Sequence, residues 1–288
     1  MKVTILKPTG YCAGVNNAIK IAFKARQEHP NKDVNVLGML VHNHEVIALL
    51  EKNNIHTLVG TNPSELLESV KDGSVIVFTA HGHDEKLEEI CHKKNLIIYD
   101  AVCGKVKYNL TFIKKAVNDD HQVIYIGEEN HPEAKVALSI SDSVLFYDIN
   151  KEFDYQNCAD QNPFVINQTT LNILDMQSIY SDIRRHLPNA KIEDEICSAT
   201  RERQESLLKI EDDVDAIIVV GDQKSSNTKR LYEIAQRAHP NLTVLMVDTL
   251  SSLNVDILRN KKHIVISSGA STPLETIDVI ASYLEKLN

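Results

Sequence analysis

Apolar runs of strand length recur along the whole chain and alternate with stretches of helical periodicity. The runs VTILK, SVIVFTA, LIIYDA, QVIYIG, AIIVVG and HIVISS are rich in Val and Ile and nearly continuous. A strand with one wet face alternates apolar and polar residues, whereas continuous runs mark strands covered on both faces, as in parallel sheets. Between them lie amphipathic segments such as Asn16 to Gln27 and Lys229 to Ala238. The pattern predicts α/β layers built on parallel sheets.

The residues that follow the strands repeat. Three strands run into a cysteine: VTILKPTGYC (Cys12), NLIIYDAVC (Cys103) and KIEDEIC (Cys197), separated by 91 and 94 residues. A second strand's polar loop follows each cysteine after 30, 28 and 28 residues: VHNHE with His42, NHPE with His131 and KSSNT with Ser225. A third loop comes 39, 38 and 46 residues later: TAHG with His81, NQTT with Thr169 and SGAST with Ser271. Such spacing predicts three copies of one unit of about 90 residues, assigned to 1–101, 102–194 and 195–288. Ligands bind beyond the carboxyl ends of parallel strands. Three similar lobes in pseudo-threefold arrangement would therefore aim three cysteines and six loops at one central cavity. The alternative is that polar loops follow strands in any α/β protein and the cysteine register is accidental.

Composition narrows the chemistry. The 288 residues, 43% apolar and 25% charged, suffice for a well-buried core. A net charge of −9 without any Lys/Arg-rich run argues against a nucleic-acid partner. No stretch approaches the roughly 18 apolar residues of a membrane span, and the first apolar run is too short for a signal peptide. A cytoplasmic protein with reduced thiols is expected, so its five cysteines read as core residues, catalytic groups or ligands. Three thiolates leave a structural zinc shell incomplete but suit a [4Fe–4S] cluster with one iron open to a substrate oxygen. Cys91, in the helical stretch KLEEICHKKN, and Cys158 are expected in the core.

The loops carry polar chemistry of a matching kind. KSSNTKRL places Ser225, Ser226 and Asn227 at the start of a helix, where free N–H groups and the helix dipole attract anions. SGASTP adds Ser271. Plain N-capping is the competing explanation. His42, His81 and His131 occupy equivalent repeat positions and suit phosphate neutralisation or proton transfer near neutral pH. His44, His83 and His121 fall outside the repeat and are expected to be solvated. Glu133 would pass a proton into a closed cavity if burial raises its pKa, or would be a first-turn helix carboxylate behind Pro132. Thr169 and Thr170 either orient a substrate hydroxyl or cap the helix that follows.

The stretches GYCAGV, VHN, TAHG, DAVC, HPE, NQTTL, ICSATRERQ, SSNTKRL and SGAS, in this order, resemble the 4-hydroxy-3-methylbut-2-enyl diphosphate reductase (LytB/IspH) family from Gly10 to about Ser271. The resemblance implies three α/β lobes around a [4Fe–4S] cluster held by Cys12, Cys103 and Cys197. It implies a diphosphate site of His42, His81, His131, Ser225, Ser226, Asn227 and Ser271, with Glu133, Thr169 and His131 in the catalytic set. The implied reaction is a two-electron, two-proton reductive dehydroxylation of an allylic diphosphate to isopentenyl and dimethylallyl diphosphates, the last step of the non-mevalonate pathway. A ferredoxin or flavodoxin would be the electron donor.

The chain departs from the family pattern at Thr9 and Asn17, where the family usually carries Arg. It departs again around the second cysteine, at Val102, Gly104 and Tyr108, and after HPE, at Ala134, Lys135 and Val136. These changes leave open a paralogue acting on another phosphorylated substrate, or a non-catalytic iron–sulfur protein.

Overall fold

A computed structural model describes residues 1–287. The first part of the chain runs β1 (Lys2–Ile5), α1 (Ala13–Glu28), β2 (Val34–Leu37), α2 (His44–Lys52), β3 (Ile55–Leu58), α3 (Pro63–Ser69), β4 (Val75–Phe78), α4 (Lys86–Lys93) and β5 (Ile97–Asp100). The middle continues with α5 (Gly104–Asn118), β6 (Val123–Gly127), α6 (Pro132–Leu138), β7 (Val144–Asp148), β8 (Phe164–Asn167), α7 (Ile173–His186) and β9 (Lys191–Glu193). The last part comprises α8 (Ser198–Leu208), β10 (Ala216–Val220), α9 (Ser226–Ala238), β11 (Thr243–Val247), β12 (His263–Ser268) and α10 (Leu274–Glu285).

These strands form three four-stranded sheets with the orders β3-β2-β4-β5, β7-β6-β8-β9 and β11-β10-β12-β1. Every strand pair is parallel. The three orders are one pattern, and in each the outer strand beside the third loop's strand (β5, β9 or β1) leads into a cysteine. The three-lobed α/β architecture expected from the repeat is thus present.

One boundary differs. The unit drawn as 1–101 included the first strand, but β1 pairs with β12, with Val3 beside Ile264 and Ile5 beside Ile266. The N-terminal strand therefore completes the third sheet, while α1 packs on the first. The reason is cyclic. The strand before each cysteine closes the sheet of the preceding lobe, and the lobe that precedes the first cysteine is the last in sequence.

Burial explains the unbroken apolar runs of β4, β6, β10 and β12, but VTILK and LIIYDA, expected to be covered on both faces, are the partly exposed edge strands β1 and β5. In β10, Ala216, Ile218 and Val220 join one cluster with Ile277, Ile280 and Leu284 of α10, while Ile217 and Val219 join another with Leu231 and Ile234 of α9. Successive side chains point to opposite faces, and helices cover both. The same division holds for Ile124 and Ile126 against Val123 and Tyr125 in β6. In α1, buried Ala18, Ala22 and Ala25 share one face, and their small size lets the helix lie close to Val34, Val36, Val75 and Val77. With each sheet clad on both faces, the carboxyl ends of the strands are the edges left to meet at the junction of the lobes.

Candidate functional site

Each cysteine stands at the N-cap of a helix: Cys12 before α1, Cys103 before α5 and Cys197 before α8. Cys12 Sγ accepts a hydrogen bond from the Val15 amide at 3.5 Å. Three helix N-termini, the positive ends of their dipoles, thus begin at the three cysteines. All three cysteines line one cavity at the lobe junction. A Cβ added at Gly14 would fall 2.7 Å from Cys103 Sγ and 3.8 Å from Cys12 Sγ, so glycine gives both sulfurs access to the same space. Burial pushes the Cys103 thiol up, against the pull of the Lys105 and Val106 amides, and the neighbouring Cys12 and Cys197 thiols push it further.

Arg203, which sequence reasoning passed over, is the cation of this end. It is buried, and its guanidinium donates to the Gly10 carbonyl at 2.7 Å and the Ala199 carbonyl at 2.8 Å. Burial lowers its pKa, while the Cys12 and Cys197 thiols beside it act in the opposite direction. A buried arginine needs acceptors around it, and the two carbonyls supply them beside the cysteine sulfurs. The available signal was the Arg within ICSATRERQ, six residues beyond Cys197.

The three repeat histidines meet on another wall. Ring centroids lie 4.6 Å apart for His42 and His81, 6.2 Å for His42 and His131, and 6.1 Å for His81 and His131. Burial holds all three below the usual imidazole range, with mutual repulsion adding to the effect at His81 and His131. His131 Nδ1 accepts from the Glu133 amide at 3.2 Å, which leaves Nε2 protonated and free to donate. His42 Nδ1 is buried without a hydrogen-bond partner. Such an orphan calls for a ligand.

His131 is brought down to about 4, chiefly by burial. A base whose folded pKa is depressed contributes stability above its unfolded value, here near 6.5, and loses it as pH falls through the folded value. The melting temperature is therefore expected to drop between pH 6.5 and pH 4. The drop should be shallower in His131→Asn, because Asn can still cap α6 but does not titrate. Melting curves of both proteins across that range check this.

Glu133 is buried at 4% exposure. Its carboxylate accepts from the Thr169 amide at 3.0 Å and from the Thr169 hydroxyl at 2.7 Å. Burial pushes its pKa up, even though both bonds from Thr169 favour the charged form. The carboxyl is thus set to hold a proton closer to neutral pH than an exposed glutamate would. The Thr169 carbonyl in turn accepts from the Cys197 amide at 3.0 Å, which ties this acid to the thiol end.

Ser225 caps α9 through the Thr228 amide at 3.4 Å, so the capping reading holds for it alongside its place on the wall. Asn227 donates to Thr200 Oγ1 at 3.1 Å and accepts from the Ala270 amide at 3.0 Å. Ser271 donates to the His42 carbonyl at 3.0 Å, joining the third lobe to the first. The twelve residues assigned to the site by resemblance line this one cavity (Cys12, Cys103, Cys197, His42, His81, His131, Glu133, Thr169, Ser225, Ser226, Asn227 and Ser271), and Thr170 joins them.

Residues set aside also have definite places. Cys91 and Cys158 are core residues, packed in different lobes. His83 corrects an expectation: it is not solvated but stacks on Phe78 at 3.6 Å and bonds Glu88 at 2.8 Å. A flat ring beside an aromatic face lowers the cost of burial. His121 is partly covered and held by Asp160 at 2.9 Å. His44 is exposed, with Asp222 at 3.4 Å. Of the departures, Thr9, Asn17, Val102, Gly104 and Tyr108 do not line the cavity, and Tyr108 is 54% exposed.

The donor set discriminates among metals. Among the described residues, the trio of candidate ligand atoms lying within 4.8 Å of one another is Glu211, Asp213 and His263, not the cysteines. That trio is already engaged, Glu211 by Lys2 at 2.8 Å and His263 by Thr4 at 2.9 Å. The three sulfurs face one space at wider spacing than a single shared ion accepts. That arrangement fits a polynuclear group.

Fold and site together define a three-lobed α/β enzyme with thiols, a buried acid and a wall of imidazoles and short hydroxyl and amide side chains around one cavity. The LytB protein family matches residues 3–285, and the chain belongs to that family. It is 34% identical to a 4-hydroxy-3-methylbut-2-enyl diphosphate reductase of Macrococcus caseolyticus, over 99% of this chain and 89% of that protein. It is also 34% identical to the protein of the same description in Symbiobacterium thermophilum, over 100% of this chain and 98% of that one. The structure of the E-1-hydroxy-2-methyl-but-2-enyl-4-diphosphate reductase from Plasmodium falciparum superposes with a TM-score of 0.88 at 28% identity, over 98% of this chain and 87% of that one.

Proposed function

We propose that the protein is a 4-hydroxy-3-methylbut-2-enyl diphosphate reductase, the reductive dehydroxylase that ends the non-mevalonate isoprenoid pathway. The observation that carries this reading is the convergence of three N-cap thiols, the Glu133–Thr169 pair and the three-imidazole wall on one cavity. Family membership and full-length relatives of that description support it.

Cys12, Cys103 and Cys197 would hold a [4Fe–4S] cluster. When bound, that group supplies electrons one at a time and an iron without a thiolate ligand. The remaining roles belong to the chain. The diphosphate is held by His131 Nε2, by His42 and His81, and by Ser225, Ser226, Asn227 and Ser271, each within the cavity wall. A bound diphosphate raises the imidazole pKa values and lets the rings carry positive charge toward it. Thr169 orients the substrate hydroxyl while its own proton points at Glu133. Glu133, whose burial raises its proton affinity, delivers the proton that leaves with that hydroxyl as water. Two electrons and a second proton complete the replacement of C–O by C–H. Arg203 balances the negative charge of Cys12 and Cys197.

The five cysteines are free, and among the described residues no helix is long and apolar enough to cross a membrane. Free thiols accord with a reducing compartment, and the electron donor of this reading is a ferredoxin or flavodoxin. The departures from the family pattern sit outside the cavity, which favours the reductase over a paralogue with another substrate.

Anaerobically isolated protein is expected to convert (E)-4-hydroxy-3-methylbut-2-enyl diphosphate to isopentenyl and dimethylallyl diphosphates with a chemical reductant. Product analysis by chromatography tests this. An intact cluster with no turnover of that compound would refute the assignment.

A further inference from the structure

Beside the cavity, the second and third lobes are joined through Glu128, at the end of β6. Its carboxylate accepts from Ser226 Oγ at 2.7 Å and pairs with Arg230 Nη2 at 2.6 Å. Arg230 is buried and shared, since its other terminal nitrogen meets Glu233 at 2.6 Å. Ser226 Oγ in turn accepts from Gln168 Nε2 at 3.3 Å and Thr170 Oγ1 at 3.2 Å.

A serine hydroxyl has one proton to donate, and here it is committed to a carboxylate. A phosphate oxygen only accepts, so Ser226 can serve a diphosphate only by turning that proton away from Glu128. Glu128 keeps Arg230 when this happens, so the exchange leaves no unpaired charge. One guanidinium is shared by two carboxylates, so the Glu128 charge that holds the Ser226 proton is only partly neutralised, in a mouth that Lys224 and Lys229 also line. We propose that Glu128 occupies the Ser226 donor in the substrate-free site and is displaced by the diphosphate, which makes it a positioning residue that sets substrate affinity. The inference rests on the diphosphate reading of the cavity given above.

Glu128→Gln keeps the shape and removes the charge. Titration calorimetry with inorganic pyrophosphate, on holoprotein handled anaerobically, is expected to show roughly tenfold tighter binding than wild type, the effect of about one charge contact in a half-buried site. In turnover assays the KM should fall while kcat does not rise. The gain should shrink in a Ser226→Ala background, since the two residues act through one bond. Equal or weaker pyrophosphate binding by E128Q, with wild type still binding, would overturn the displacement alone. Absence of pyrophosphate binding in both proteins would overturn the phosphate site and this role together.

Discussion

Glu133→Gln is expected to slow turnover by about 10²–10⁴-fold, the usual worth of a positioned general acid, with little change in KM. The side chain is 4% exposed and its oxygens accept from the amide and hydroxyl of Thr169. Glutamine has the same shape and its carbonyl oxygen can accept one of these bonds, so the fold and the diphosphate wall are retained. What it lacks is a transferable proton. Burial raises the Glu133 pKa, so the wild-type acid limb should extend to higher pH than an exposed carboxylate allows. Above the raised pKa the proton is lost and the rate should fall. Steady-state kinetics of both proteins over a pH series check this, and a near-wild-type rate in the variant would remove Glu133 from the mechanism.

Cys103→Ser is expected to abolish activity and to strip iron from the isolated protein. A serine hydroxyl at the α5 N-cap is a poor ligand for a soft iron–sulfur centre, and two remaining thiolates leave the group weakly anchored. Cys91→Ala is the control. That cysteine is buried in the first lobe's core, away from the cavity, so its loss should cost about 1 kcal/mol of stability and no iron. Visible absorption and iron analysis of the two variants side by side decide between them. Equal iron content would place the metal elsewhere.

Much of this was legible in the chain because the code is simple where burial is complete. The runs in β4, β6, β10 and β12 form central strands buried along their length, and each ends at a loop that sequence spacing had singled out, whereas VTILK and LIIYDA are the partly buried edge strands β1 and β5. Cavity residues were found because the repeat placed Cys12, Cys103 and Cys197, and then the histidine, serine and threonine loops, in equivalent positions. β1 was misassigned because periodicity along a chain cannot say which sheet an end strand joins. That choice depends on three-dimensional closure, here the pairing of Val3 with Ile264. His83 was misplaced because stacking on Phe78 is a contact between loop and strand that leaves no spacing signal. Arg203, Glu128 and Arg230 were missed for a related reason. Charged residues in helices and after strands are usually solvated, and only the meeting of lobes buries Arg203 and Arg230 and half-buries Glu128.

We propose above all that three thiols from three lobes hold one iron–sulfur group. The most direct test is iron and acid-labile sulfide analysis, with electron paramagnetic resonance, on wild-type protein isolated without oxygen. A brown protein with about four irons and four sulfides per chain and a cubane-type signal on reduction is expected. Colourless protein that takes up neither iron nor sulfide on anaerobic reconstitution, with all three thiols still alkylated at the rate of free cysteines, would contradict this proposal.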